Sequence, residues 1–136
     1  TGDANYYGDG GLAVNAALRK PQHAMGGSDG KIYISEKDND VIRVVDSSGY
    51  ISTFAGTNSR GYSGDGGLAT SAKIERPATI YVDNANKKLY FTWGRHVRVY
   101  RGWGSRYECP AQKAEGALAG SQQQHLHRHQ RLVCCA

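Results

Sequence analysis

Hydrophobic residues in the first half of the chain fall in short runs that polar or glycine-rich turns separate. The runs at residues 31–35, 41–45 and 51–55 are rich in β-branched and aromatic side chains, which favour strands over helices, and the run at about 22–26 is weaker. Asp29-Gly30 precedes the second run and Ser47-Ser48-Gly49 precedes the fourth, and both sequences are typical of tight turns. The pattern therefore predicts one antiparallel meander with strands at about residues 22–26, 31–35, 41–45 and 51–55.

The pattern returns later in the chain. Residues 8–21, which begin Gly-Asp-Gly-Gly-Leu-Ala and end in Pro21, are repeated without a gap by residues 64–77, so that the spacing is 56 residues. The similarity continues in later segments with small shifts in length that fall between the predicted strands, where loops tolerate insertions. The second copy predicts strands at 79–82, 88–92 and 97–101, followed by a fourth, poorly patterned strand within 102–108.

A repeat of four short strands is typical of a β-propeller blade, which needs neighbouring blades to bury its faces. We therefore expect an all-β fold, an incomplete β-propeller of about two four-stranded antiparallel blades, with further blades missing from this chain. Such an open pair is expected to be marginally stable and prone to associate. The expected division is a linker at 1–21, a first blade at 22–56, a linker at 57–77, a second, incomplete blade at 78–109 and a low-complexity, disordered tail at 110–136.

The connecting segments also resemble a known family. Residues 54–57 (Phe-Ala-Gly-Thr), 61–72 (Gly-Tyr-Ser-Gly-Asp-Gly-Gly-Leu-Ala-Thr-Ser-Ala) and Pro77 are similar to the extended linker of NHL-repeat propellers, in which a Gly-Asp-Gly-Gly-x-Ala segment leads to a proline. The resemblance covers residues 1–101. The usual first strand of an NHL repeat is close to Ile80–Asp83 but poorly matched by His23–Gly27. The resemblance implies a six-bladed propeller-like scaffold that binds a partner, most simply a protein.

Composition and charge exclude several other classes. The chain has 136 residues, 39% hydrophobic and 21% charged, and no apolar run approaches the roughly 20 residues that cross a bilayer, so no membrane partner is expected. Three cysteines, two of them adjacent, do not make a disulfide scaffold. The formal net charge of +5 is concentrated in the second half of the chain.

The basic half contains the candidate binding site. Arginines alternate with aromatic residues there, a mixture that contacts phosphates while stacking on bases, so RNA or single-stranded nucleic acid is a possible partner through residues 93–107. Arg98, however, matches Arg43 of the first unit, and an arginine that recurs in each repeat favours bracing between blades. The candidate binding residues are Trp93, Arg95, Arg98, Tyr100, Arg101 and Trp103.

Other suggestive residues have simpler structural interpretations. The Gly-Asp-Gly-Gly segments could cradle an anion but recur at the blade period, which favours structural turns. Residues 38–40 (Asp-Asn-Asp) lack the glycine and distal glutamate of a calcium loop and are expected to form a solvated loop. Tyr33 and Tyr90 occupy one repeat position and are expected in the core. His125, His127 and His129 alternate near Cys134-Cys135, where metal capture is an alternative to a disordered tail.

No pairing of a nucleophile with a base stands out, so we expect no catalytic residues, no metal, no cofactor and no enzyme activity. The remaining alternative is part of a propeller lyase or hydrolase with its site at the central channel. For a binding scaffold, the loops at residues 36–40 and 83–87 are the expected contact surfaces.

Overall fold

A computed structural model describes residues 7–64 and 67–93, together with the backbone of residues 96–101 and 131–132. The described residues are all-β, with two 3₁₀ turns and no α-helix. No helix among them is long and apolar enough to cross a membrane. The strands are β1 (Pro21–Gly26), β2 (Ile32–Glu36), β3 (Val41–Val45), β4 (Ile51–Ala55), β5 (Ile80–Asp83), β6 (Lys88–Trp93), β7 (His96–Arg101) and β8 (Arg131–Leu132).

The first sheet is the predicted meander. Its order is β1-β2-β3-β4, and every neighbouring pair is antiparallel. Met25, Tyr33 and Val44 are successive partners across the register and therefore share one face, while Ile32 and Val45 share the other. The alternation of side chains thus gives the sheet two chemically different faces.

The second sheet departs from the prediction at its far edge. Strand β5 pairs antiparallel with β6, and β6 pairs antiparallel with β7. The neighbour on the other side of β7 is β8, which comes from the predicted tail and runs parallel. Parallel strands need a crossover of a dozen or more residues, and the separation between Arg101 and Arg131 is long enough for one. The predicted fourth strand at 102–108 lies outside the described residues.

The two connecting segments fold alike, so the sequence repeat is also a structural repeat. Isolated bridges join Tyr7 to Ala17 and Ser63 to Lys73. The 3₁₀ turns Ala13–Asn15 and Ala69–Ser71 follow at the same spacing. In both copies the residue before the proline adopts a left-handed conformation, with φ of 45° at Lys20 and 41° at Arg76.

A glycine is required at the start of each connection. Gly8 and Gly64 have φ values of 103° and 94°. A Cβ atom at Gly8 would lie 2.7 Å from the Cβ of Ala16, and one at Gly64 would lie 2.7 Å from the Cα of Ala72. Because both conformation and space exclude a side chain, the same close approach of backbone recurs in each copy.

One hydrophobic core lies between the two sheets. The first sheet contributes its Tyr33 face, including Ile42 and Ala55. The second sheet covers it with Ile80, Val82, Leu89 and Phe91, and the second connection adds Ala69 and Ile74. Tyr33 and Tyr90 are both buried, which confirms the prediction made for them. The sheets are therefore held together by shared burial of apolar surface.

Candidate binding surfaces

The predicted basic-aromatic site is only partly described. Trp93 ends β6 half-buried, and its ring lies 5.3 Å from that of Tyr62, at a tilt of 55°. Tyr62 belongs to the second connection and is exposed. An aromatic pair thus stands at the surface beside β7, although the sequence pattern gave no reason to join these two residues.

Strand β7 places the next candidates by register. Arg98 is the partner of Phe91 and Tyr100 is the partner of Leu89, while Arg101 pairs with Lys88 at the end of the strand. Arg95 and Trp103 lie outside the described residues.

The arginine at the matching position of the first sheet is fully buried. Nη1 of Arg43 lies 3.2 Å from Oε1 of Glu36, and Nη2 lies 2.7 Å from Oδ1 of Asp9. Thr53 on β4 donates its hydroxyl to the other oxygen of Asp9. Since a buried charge is stable only when it is paired, the arginine joins the incoming connection to the middle of its own sheet. These two contacts of Arg43 lie within its own sheet and its incoming connection, and bracing between blades stays a prediction.

Three of the five residues in the loop at 36–40 are buried and make contacts within the fold. Glu36, Asn39 and Asp40 are buried. Oε2 of Glu36 accepts hydrogen bonds from the Asn39 side chain (2.6 Å) and the Arg19 backbone amide (2.8 Å). Oδ1 of Asp40 accepts from the backbone amide of Arg76 at 2.7 Å. The prediction of a solvated loop is wrong for Asn39 and Asp40, because Asn39 contacts Glu36 and Asp40 holds the second connection to the sheet. Partner binding by this loop stays a prediction.

The remaining carboxylate of this loop stays at the surface. Oδ2 of Asp38 lies 2.9 Å from Nζ of Lys20. The hydrogen bond from this ammonium group is the main cause that lowers the pKa of Asp38. The pair connects the loop to the residue that precedes Pro21.

The described glycine amides of the Gly-Asp-Gly-Gly segments are used by the chain itself. Gly10 donates to the carbonyl of Ile51 at 2.8 Å, and Gly11 donates to the carbonyl of Gly8 at 3.0 Å. Gly67 donates to Gly64 at 3.1 Å in the second copy. Since these donors are already paired, the prediction of structural turns is confirmed for them.

The edges of the two sheets meet along β1 and β5. The backbone amide of Ile80 donates to Nδ1 of His23 at 3.2 Å, and that of Val82 approaches Sδ of Met25 at 3.3 Å. The hydroxyl of Ser35 donates to the carbonyl of Ala78. Side chains of the first sheet therefore satisfy backbone groups along the edge of the second.

Three turns lie together at the opposite end of the sheets from residues 36–40, and we call this surface the turn end (residues 27–30, 46–49 and 84–87). The backbone amide of Ser28 donates to Oδ1 of Asn84 at 2.7 Å, which ties the two sheets together there. Residues 84–87 are exposed, whereas Asp83 is buried and accepts two hydrogen bonds from Asn86. Of the two predicted contact loops, this one presents the more exposed side chains, since residues 84–87 are all exposed whereas three residues of 36–40 are buried.

The described residues contain no group of three or more histidine, cysteine, aspartate or glutamate side chains that could hold a metal ion. The histidines and cysteines of the predicted tail lie outside that part of the chain. The polar side chains described above hold connections, loops and sheet edges in place.

These features define an all-β protein of two packed sheets with a repeated connection. No family model matches the chain. No curated protein matches it in sequence. Its assignment beyond fold class therefore depends on its own residues.

Proposed function

We propose that this chain forms two blades of an NHL-like β-propeller and that the complete propeller is a scaffold that binds a protein partner. The repeated Gly-Asp-Gly-Gly connections and the face-to-face packing of the sheets support the architecture. Edge strands β1 and β5 meet side by side, as the innermost strands of neighbouring blades do.

The observation that carries the proposal is the part of one face of the first sheet where small and apolar residues are exposed or half-buried, although Arg43 and Glu36 on the same face are buried. We call it the open face (Ala24, Gly26, Ile32 and Ile34). By spacing and register these residues match Ile80, Val82, Leu89 and Phe91, which the second sheet buries against the first. Leu89 is 2% exposed, whereas Ile32 is 47% exposed. An apolar face that is buried in one copy and open in the other indicates an array that continues with further blades.

The turn end is the surface best suited to a partner. Exposed turns that rest on rigid strands are where sheet proteins place their binding residues. This end combines Asp29, which pairs with Lys31 at 3.3 Å, with the exposed Asn84 and Lys87. Such a mixed, polar surface fits a folded protein better than it fits a polyanion, because no single sign of charge dominates it.

The test begins with affinity capture by the intact chain and identification of the retained protein. Binding of that purified protein is then measured for Ala85→Glu at the turn end and for Thr70→Glu in the exposed 3₁₀ turn of the second connection. We expect Ala85→Glu to weaken binding at least tenfold and Thr70→Glu to leave it unchanged. Equal effects of the two substitutions would contradict the assignment of this surface.

The aromatic pair of the exposed Tyr62 and the half-buried Trp93 favours a second candidate, single-stranded RNA binding. Aromatic side chains stack on bases, and arginine contacts to phosphate make affinity fall linearly on logarithmic axes as salt rises. Filter binding of a mixed-sequence RNA across a range of salt tests this. Affinity that is independent of salt, or unchanged by Trp93→Ala, rules this candidate out.

A further inference from the structure

We propose that the end of the sheets opposite the turn end binds an acidic peptide segment of a partner. We call this surface the basic end (residues 19–20, 36–40, 60 and 75–76). The observation that carries the inference is a group of exposed cations that the two connections bring to one loop. It goes beyond the proposed function, because it adds a second surface and does not depend on further blades.

Backbone hydrogen bonds attach both connections to the loop at residues 36–40. The amide of Arg19 donates to Oε2 of Glu36 at 2.8 Å, and the amide of Arg76 donates to Oδ1 of Asp40 at 2.7 Å. Because these contacts use backbone atoms, they leave both arginine side chains exposed. Two cations from different connections therefore lie at the surface beside one loop.

Cationic side chains outnumber carboxylates at the basic end. The buried Glu36 is paired with Arg43. The other charged residues there are three carboxylates and five cations, namely Asp38, Asp40 and Glu75, and Arg19, Lys20, Lys37, Arg60 and Arg76. This excess of positive charge distinguishes the basic end from the turn end, where neither sign of charge dominates.

Asp38 shows that several of these cations act at the same point. Its Oδ2 lies 2.9 Å from Nζ of Lys20, whose side chain remains 69% exposed. The hydrogen bond from Lys20 is the largest of the causes that lower the pKa of Asp38, and the charges of Arg19 and Arg76 lower it further. Neither arginine forms an ion pair with a carboxylate among the described residues. Three cations thus favour negative charge where the fold supplies one carboxylate.

The backbone places a cation at the same position in both copies of the connection. Lys20 and Arg76 each precede a proline in the repeat and have φ values of 45° and 41°. Residues other than glycine, asparagine, aspartate and histidine seldom adopt this left-handed conformation. Strained backbone of this kind concentrates at functional sites. A basic residue at the strained position in both copies therefore indicates that its charge is used.

An acidic peptide fits this surface better than a nucleic acid does. The basic end contains no aromatic residue on which a base could stack. Its own aspartates would repel a backbone that carries a charge on every phosphate, whereas a peptide can place neutral residues beside them. Arginine also binds carboxylates in a bidentate geometry.

Fluorescence anisotropy of a labelled oligo-glutamate peptide with the intact chain tests the proposal. We expect this peptide to bind and an oligo-glutamine peptide of equal length not to bind. Arg76→Glu should weaken binding about tenfold, because repulsion replaces attraction, whereas Arg76→Lys keeps the charge and should bind as the wild type does. Circular dichroism establishes that each variant is folded, and Arg76→Gln replaces Arg76→Glu if the glutamate variant is not.

Lys87→Glu at the turn end is the matched control for Arg76→Glu. Lys87 is also exposed and left-handed, with a φ of 52°, and its substitution changes the net charge by the same amount. We expect Lys87→Glu to leave binding of the peptide unchanged. Equal losses in the two variants would show that only the overall charge of the chain matters, and would overturn the proposal.

Asp38→Asn should strengthen binding of the peptide, because it removes the carboxylate that competes for Lys20. A gain in affinity cannot result from loss of the fold. Unchanged or weaker binding by Asp38→Asn would contradict a site that includes Lys20.

Oligouridine, measured at the same salt concentration, separates the two kinds of polyanion. If it binds more tightly than oligo-glutamate and Arg76→Glu weakens it, the ligand is a nucleic acid and the inference is wrong. Failure of the inference leaves the proposed function standing, because Ala85→Glu tests that function at the opposite end.

Discussion

Arg43 shows how a charge is accommodated at the centre of the first sheet. Its guanidinium is completely buried and contacts Glu36 from the neighbouring strand and Asp9 from the connection. Buried ion pairs contribute little net stability as a pair, but removal of one partner leaves an unpaired charge that is costly. Loss of the contact between Arg43 and Asp9 of the connection is therefore expected to destabilise the folded chain.

Arg43→Met tests this cluster. We expect it to lower the free energy of unfolding by about 3–5 kcal/mol, because Glu36 stays buried without its cation. The double variant Arg43→Met with Glu36→Gln should recover part of that loss, since the glutamine is neutral. Urea unfolding followed by tyrosine fluorescence measures both. A double variant no more stable than the single one would show that lost packing, rather than charge, dominates.

Tyr33 makes stability depend on alkaline pH. Burial raises the pKa of its phenol above the ordinary range, and the negative charge of Asp29 raises it further. A group whose pKa is raised on folding contributes stability that is complete below its unfolded pKa of about 10 and is lost as the pH rises above that value.

We expect wild-type stability to fall more steeply than that of Tyr33→Phe between about pH 9 and about pH 11, because phenylalanine cannot ionise. Urea midpoints across this range give the comparison, in which the lysines and other tyrosines are common to both proteins. Parallel pH profiles for the two proteins would show that Tyr33 does not ionise on unfolding in this range.

Among the structural elements, the junction between β4 and the second connection is the tightest. Gly56 has a φ of 97°, and its amide donates to the carbonyl of Ala69 at 3.1 Å. A Cβ atom there would overlap the carbonyl oxygen of Asp40 and lie 3.0 Å from the Cα of Val41. The chain can leave the sheet at this point only because no side chain is present.

Gly56→Ala and Gly49→Ala form a matched pair that separates strain from overlap. Gly49 also has a positive φ, 85°, but a Cβ atom there meets nothing within 4 Å. We expect Gly49→Ala to cost about 1–2 kcal/mol from backbone conformation alone. Gly56→Ala should cost roughly 1–3 kcal/mol more, from steric overlap. Equal losses in thermal or urea unfolding would contradict the close packing at Gly56.

At the scale of the whole molecule, the two sheets behave as one unit because they share one core. Phe91 of the second sheet is fully buried in the cluster that includes Tyr33 and Ile42 of the first. Hydrogen bonds between β1 and β5 add a second link at the strand edges. A change at this interface should consequently be felt in both sheets.

Phe91→Ala should lower stability by about 3–5 kcal/mol and speed hydrogen exchange in β2 and β3 as well as in β6. Val14→Ala is the control, since Val14 is 79% exposed and should cost less than about 0.5 kcal/mol. Hydrogen exchange read by mass spectrometry resolves the strands. Faster exchange confined to the second sheet would show that the sheets unfold independently.

Local patterns were sufficient to predict most strands. The predicted strands at 41–45 and 51–55 coincide with β3 and β4, the first begins one residue later than β1, and the second is shifted by one residue from β2. Three of these segments are rich in β-branched and aromatic residues, and turn residues separate them, both of which are properties of neighbouring residues. Strand β8 could not be predicted in this way. Two residues are too few to show a hydrophobic period, and the parallel pairing of β8 is with β7, which is distant in the sequence.

The amino-acid sequence by itself determined the strands of the first sheet and the recurrence of one connection at a spacing of 56 residues, since both depend on the order of neighbouring residues along the chain. Only the tertiary structure decided that Glu36 and Asp40 are buried and bind backbone amides of the two connections, instead of lying in a solvated loop. It also decided which sheet face is covered and which is open. The physical reason is that charge pairing and apolar burial depend on which residues meet in space, and Asp9 and Arg43, which lie far apart in the sequence, are in contact in the folded chain.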